Sequence, residues 1–247
     1  MPDTVAPSVD QGEIAKFARL AGEWWDPNGK FRPLHLFNPV RIAFLRDAAA
    51  RHFGRDPQIL RAFECLSLLD IGCGGGLLSE AMARMGFEVL GADASEKNIR
   101  AAASHAEGAG LKLAYRATTA ERLAEEGRTF DLVLNMEVVE HVADLSAFLG
   151  ACGALIAPGG FMVVATLNRT LKSLALAKFG AEYVLRWLPP GTHDWNRFVR
   201  PDELERALIE AGLKVSRLQG VAFDPLRWEW RLSSDTDVNY MAVAEKA

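Results

Sequence analysis

The sequence predicts an α/β protein built on a doubly wound, mainly parallel sheet of seven strands. Three observations carry this. Strand-like and helix-like segments alternate from residue 66 onward, and a glycine cluster sits at the first strand-to-helix passage. The chain of 247 residues, 49% hydrophobic and 24% charged, is long enough for one large core.

The elements follow in order. Residues 1–12 are polar and proline-bearing and read as a flexible tail. In 13–25 the apolar residues Ile14, Phe17, Leu20, Ala21, Trp24 and Trp25 recur at helical spacing, until Pro27 ends the run. A second helix is expected after Pro39, with Arg41 in its first turn. Residues 13–60 thus form a helical cap on a single domain, 13–247. Strands are expected at 66–71, 88–92, 111–116, 130–135 and 161–167, the last after the Pro158-Gly159-Gly160 turn. Helices fall at 77–85, 96–107 and 202–211, and the two last strands lie near 214–218 and 238–244. Residues 168–200 break the rhythm, being far longer than the usual α/β connection of about 2–6 residues. They hold Arg169, Lys172, Lys178, Arg186, Arg197 and Arg200 against only Glu182 and Asp194, and read as a functional insert.

Composition excludes several classes. A net charge of −4 supplies no positive field for nucleic acid. Cys65, Cys73 and Cys152 form no CxxC pair, which points to thiols in a reducing compartment instead of disulfides or a zinc site. The first residues lack a secretory pattern, and no apolar run is long enough to span a bilayer. A cytoplasmic protein is expected.

The chemistry starts at Asp70-Ile71-Gly72-Cys73-Gly74-Gly75-Gly76. Glycines in this turn let a ligand approach the backbone, at the sheet edge where α/β proteins bind ligands. Asp93 ends the second strand, 21 residues after Gly72, and can accept from both hydroxyls of a ribose. Two ligands fit that pair: a nicotinamide dinucleotide or S-adenosylmethionine. The dinucleotide fingerprint asks for a third glycine where Leu77 stands. Asp70, just before the first glycine, suits a positive ligand better than a pyrophosphate. The Asp-x-Gly-x-Gly-x-Gly run resembles the first motif of the Rossmann-like class I methyltransferases. Phe130-Asp131-Leu132-Val133 and Pro158-Gly159-Gly160 resemble their later strand signatures.

The acceptor is read from the end of strand four. Asn135-Met136-Glu137 replaces the Asn/Asp-Pro-Pro-aromatic of amide and amine methyltransferases. If a helix begins there, Glu137, Glu140 and His141 share one face. They then hold a divalent ion such as Mg2+, or His141 serves packing; both readings stand. An oxygen acceptor gives such groups a purpose. A phenol has a pKa near 10, so ionising it at pH 7 costs roughly 4 kcal/mol, which a Lewis acid or a base such as His141 offsets.

Across its whole length the chain resembles the ubiquinone biosynthesis O-methyltransferases. The likeness runs from Phe17-Ala18-Arg19-Leu20-Ala21-Gly22-Glu23-Trp24-Trp25-Asp26 to Asp235-Thr236-Asp237-Val238-Asn239-Tyr240-Met241. Between them lie Asn38-Pro39-Val40-Arg41, the glycine run, Thr166-Leu167-Asn168-Arg169 and Gly191-Thr192-His193-Asp194. The resemblance implies methylation of a 2-polyprenyl-6-hydroxyphenol and of a 3-demethylubiquinol. It places S-adenosylmethionine on Arg41, Gly72, Asp93 and Met136, to which the residue-level reading adds Asp70 and Gly74. It also matches Glu137, Glu140 and His141 to metal positions of the eukaryotic branch. A polyprenyl substrate implies a membrane surface, reached through 168–200 acting as lid and contact, with the enzyme peripheral on the inner face of the cytoplasmic membrane. Other enzymes of the pathway are expected partners. His193 reads as a loop-structuring residue or a base, Trp24 and Trp25 as core and pocket wall, and Trp228 and Trp230 as pocket lining. The rival readings are a methyltransferase of a soluble catechol, a nicotinamide-dependent oxidoreductase and a catalytically silent scaffold.

Overall fold

The computed structural model describes residues 8–176 and 194–246. Its centre is one sheet in the order β3-β2-β1-β4-β5-β8-β6-β7. The strands are β1 Ser67–Ile71, β2 Glu88–Asp93, β3 Ala114–Ala117, β4 Phe130–Met136, β5 Ile156–Leu167, β6 Leu213–Asp224, β7 Glu229–Ser233 and β8 Asn239–Lys246. The helices are α1 Gln11–Ala18, α2 Arg32–Phe53, α3 Leu77–Arg84, α4 Glu96–Gly108, α5 Ala120–Glu125, α6 Leu145–Ala154, α7 Leu171–Ser173 and α8 Pro201–Glu210. β1 to β5 pair in parallel, while β8, β6 and β7 run antiparallel to their neighbours. The chain order reverses between β1 and β4, and such a reversal opens a crevice at the carboxyl ends of the strands.

Alternation along the strands divides the core into two layers. Leu68, Leu132, Leu134, Phe161 and Val163 face Phe44, Leu45 and Met82 of α2 and α3. Leu69, Val133, Met162 and Val164 face Leu123, Phe148, Leu149 and Leu204 of α5, α6 and α8. The central strands are covered on both sides, which is why they read as near-continuous apolar runs.

Several expectations are corrected. The sheet has eight strands, not seven: β7 folds back on the far half of β6, pairing Val221 with Leu232 and Phe223 with Trp230. Glu-Trp-Arg-Leu-Ser alternates too briefly to stand out. α2 begins at Arg32, with Pro33 in its first turn, and Pro39 lies inside it. Pro33 sets the start, because the opening turn needs no donor there. Arg41 therefore sits mid-helix and is only 2% exposed. The first helix stops at Ala18, and Trp24 follows a separate 3₁₀ turn, Ala21–Glu23. Residues 8–12, expected within a flexible tail, are tied down. Asp10 caps α1 by accepting from Gly12 and Glu13, and the Ser8 carbonyl accepts from Ala143 N at 2.8 Å. β3 starts three residues late because Leu111 N still bonds Ala106 O at 3.0 Å, closing α4. Among the described residues, no helix is long and apolar enough to cross a membrane.

Candidate active site

A cavity of about 940 Å³ opens over the carboxyl ends of the strands. At one flank, toward β1, β2 and β3, it is lined by Asp70, Gly72, Gly74, Asp93, Thr118 and Glu121. At the other, toward β6 and β7, its walls are Leu34, Phe37, Val221, Phe223, Trp228 and Trp230. β4 lies between, and the turn that follows it brings Met136, Glu137, Glu140 and His141 to the junction.

The first flank is polar and built largely by backbone. Asp93 ends β2 half-buried. Its Oδ2 accepts from Gly74 N at 3.0 Å, and its Oδ1 from Ser95 N at 2.7 Å and Asn98 Nδ2 at 3.3 Å. Burial still holds this carboxyl above its ordinary range. Asp70 is 2% exposed, accepts from Ser79 Oγ at 2.6 Å, and is pushed up to about 6 by burial. A buried acid poised there gains from a cationic ligand. Thr118 Oγ1 and Glu121 Oε2 are buried on the same flank with no partner among the described residues. Buried acceptors in that state call for a donor.

The glycines also make room for the cap. A Cβ on Gly74 would stand 2.5 Å from the Trp24 ring, and one on Gly75 would overlap the same side chain. The missing side chains thus admit the cap's own tryptophan, and Trp24, Gly72 and Gly74 all line the cavity. Trp24 stacks on Phe31 at 3.7 Å and donates from Nε1 to Asn98 Oδ1 at 3.1 Å; Trp25 donates to Gly75 O at 2.8 Å. Asn98 links Trp24 to Asp93, a relay that sequence reasoning missed because an Asn inside an amphipathic helix carries no signature. Gly72 adopts φ +69, and a Cβ there would meet Val138 at 2.5 Å.

The second flank is apolar. Trp230 stacks on Phe37 at 4.5 Å and tilts against Phe223 at 5.4 Å. Its Nε1 is buried without a partner among the described residues. Trp228 is 48% exposed and Leu226 96% exposed, so the hairpin tip stands at the mouth. Trp228 and Trp230 line the pocket as expected.

Comparisons with known proteins agree with this layout. A methyltransferase-domain profile matches residues 37–218. The structure resembles a magnesium protoporphyrin IX methyltransferase from Synechocystis solved with bound SAH, at TM-score 0.64 and 19% identity, over 96% of this chain and 95% of that one. It also resembles a S-adenosylmethionine-dependent methyltransferase from Clostridium acetobutylicum, at TM-score 0.60 and 12% identity, over 94% and 98%. These two likenesses concern the fold alone. A ubiquinone biosynthesis O-methyltransferase of Sinorhizobium medicae is 59% identical over 246 residues, covering 100% of this chain and 99% of the relative. One of Parvibaculum lavamentivorans is 59% identical over 240 residues, covering 97% and 95%.

The chain belongs to the ubiquinone biosynthesis O-methyltransferase family.

Within this O-methyltransferase the residues expected to hold a metal do not converge. The expected helix after β4 is absent: Glu137 N still bonds Ala165 O at 2.9 Å, extending the ladder, and Glu137 then turns the chain with φ +60. Val138 fills the space over Gly72, and only a 3₁₀ turn, Val139–His141, follows. Glu137 and Glu140 lie against each other, while His141 turns away from them, and each side chain has its own partner elsewhere. Glu137 pairs with Arg41 of α2, Glu140 accepts from Thr166 Oγ1 of β5 at 2.8 Å, and His141 Nδ1 lies 2.8 Å from Glu13 Oε2 of α1. Burial, reinforced by the charge of Glu137, drives the Glu140 carboxyl well above its ordinary value. Among the described residues, no three His, Cys, Asp or Glu side chains are grouped to hold a metal ion. This donor set does not fit a divalent cation.

The other predicted residues line the cavity. Arg41 stacks over Phe37 at 3.7 Å, and its buried Nε has no partner among the described residues. Met136 is buried at the end of β4. Glu13, Asn98, Thr118 and Glu121 went unforeseen; the acid in the first turn of α1 was the one visible signal. The described cations of the insert are already committed. Arg169 pairs with Glu203, Lys172 with Asp235 and Asp237, Arg197 with Asp10 at 3.0 Å, and Arg200 with Asp202 at 3.0 Å. Their charge goes to carboxylates of the protein itself. Lys178, Arg186 and His193 lie outside the described residues.

Proposed function

We propose that this protein transfers a methyl group from S-adenosylmethionine to phenolic hydroxyls of polyprenylated ubiquinone precursors, of the 2-polyprenyl-6-hydroxyphenol and 3-demethylubiquinol types. One observation carries the reading: a single cavity joins a polar nucleoside-sized flank at Asp70 and Asp93 to an aromatic flank at Phe37, Phe223 and Trp230. Its volume falls within the usual range for small-molecule sites, about 300–1,000 Å³.

The methyl donor supplies an electrophilic methyl on a cationic sulfur. Asp93 would accept from its ribose, Asp70 would balance its positive charge, and Met136 would give soft apolar contact to its base. Gly72 and Gly74 shape the turn that borders it. Arg41 would offer its unpartnered Nε and remaining guanidinium edge to the carboxylate of the donor, while Glu137 keeps it in place. On the other flank, Phe37, Phe223 and Trp230 would exclude water from the acceptor ring, and the buried Trp230 Nε1 is ready to donate to a ring oxygen. Alignment of acceptor oxygen with the methyl then supplies much of the rate. His141, at the junction, would take the acceptor's proton.

The cap, 13–60, closes the polar flank of one catalytic domain, 13–247. A polyprenyl acceptor is bilayer-bound, so the mouth must reach a membrane. Leu176 and Trp228 line the cavity and are 56% and 48% exposed, and Leu226 projects beside them. Through these residues, and through the insert 168–200 as its sequence suggests, the enzyme would sit peripherally on the inner face of the cytoplasmic membrane. Leu226→Glu with Trp228→Glu should reduce co-sedimentation with anionic vesicles; unchanged sedimentation contradicts that part.

The deciding experiment is methyl transfer to a short-chain prenyl catechol, with and without EDTA. Turnover equal in both arms is expected. No turnover sinks the function, and chelator-sensitive turnover sinks the metal-free reading.

A further inference from the structure

The turn after β4 stands where the two flanks meet, and His141 is its last residue. Glu13 reaches it from α1, across a long stretch of sequence. His141 Nδ1 lies 2.8 Å from Glu13 Oε2, the two side chains are about one-fifth exposed, and both line the cavity. Phe17, one turn along α1, packs against the imidazole at 5.1 Å and 80°. Arg197 ties the same pieces together: Nη2 lies 3.0 Å from Asp10 Oδ2 and donates to Val142 O at 3.2 Å, and Nη1 lies 3.8 Å from Glu13 Oε1. The hydrogen bond with His141 holds the Glu13 carboxyl at about 2, so Glu13 is a carboxylate at neutral pH.

A carboxylate on Nδ1 selects the tautomer with its proton there and leaves the lone pair on Nε2. We propose that Glu13, carried in by the N-terminal helix, is a positioning residue that orients His141 to receive the acceptor's phenolic proton on Nε2. This rests on the O-methyl transfer proposed above. As the phenol oxygen forms its bond to the methyl carbon, the carbon–sulfur pair returns to sulfur and the O–H proton passes to Nε2. The imidazolium, stabilised by Glu13, then releases that proton to water. The carboxylates that would have shared a metal with His141 are committed to Arg41 and Thr166. Lys16 and Arg197 face Glu13, while Glu137 and Glu140 share the turn with His141.

The test compares wild type, Glu13→Gln and Glu13→Asp. Glu13→Gln should lower kcat roughly 30- to 100-fold with the Kd for S-adenosylmethionine within about twofold. Glu13→Asp should recover part of kcat. Imidazole ¹⁵N shifts of His141 should report the Nδ1–H tautomer in wild type and its loss in Glu13→Gln, a readout that needs no turnover. An unchanged kcat, a fall that Glu13→Asp does not partly recover, or a wild-type ring protonated on Nε2 alone overturns the proposal. Inactive wild type with the expected tautomer would instead count against the acceptor assignment.

Discussion

The two flanks of the cavity are made of different material. Around Asp70 and Asp93 the shape is set by strand ends and a glycine turn, with Gly74 N and Ser95 N bonded to one carboxylate. Around Phe37 and Trp230 it is set by side chains from α2 and a hairpin far apart in sequence. The first is a local device that many acceptors can share. The second is a tertiary one, and on the proposed function it is where the acceptor would be chosen. Substitutions should therefore separate the two: donor affinity should respond on one flank only, acceptor preference on the other.

The largest effect is expected at Asp93. Asp93→Ala should weaken S-adenosylmethionine by about 100-fold in isothermal titration, the loss of roughly 3 kcal/mol for a charged acceptor of two hydroxyls. Retained affinity would break the division between flanks. Next comes Gly75→Leu, which drives a side chain into Trp24 and should cost about 1–3 kcal/mol in thermal or urea unfolding. Trp230→Ala should then raise KM for a prenylated acceptor about tenfold while leaving donor affinity alone, since it removes aromatic area only on the second flank.

A smaller, graded effect concerns pH. The Asp70 carboxyl, raised to about 6 in the folded protein, binds a proton more tightly folded than unfolded. The raised value therefore favours folding at low pH, and that contribution is lost as pH rises from about 4 through 6. A cationic donor prefers the ionised acid, so donor affinity should tighten by about tenfold between pH 5 and pH 7. Asp70→Asn should flatten that slope; an unchanged slope would detach Asp70 from the donor.

Legibility in the sequence follows the same division. Asp70, Gly72, Gly74 and Asp93 were readable because backbone geometry demands particular residues at fixed spacing after a strand. Arg41 was found, but in the wrong turn, because Pro39 masked the earlier start at Pro33. The face of Glu137, Glu140 and His141 failed for a tertiary reason: Val138 packs over Gly72, and a left-handed Glu137 breaks the helix that spacing suggested. The roles of Glu13 and Asn98 were not readable, since they depend on which distant element arrives beside them. The hairpin was missed because β7 takes its register from β6 and not from a pattern of its own.

The joined cavity is tested most directly by comparing kcat/KM for a catechol bearing one isoprene unit with that for bare catechol. Burying roughly 100 Å² of apolar chain against Phe37 and Trp230 is worth about 2.5 kcal/mol, so the prenylated acceptor should be favoured by roughly 70-fold. Equal values for the two acceptors would contradict the account.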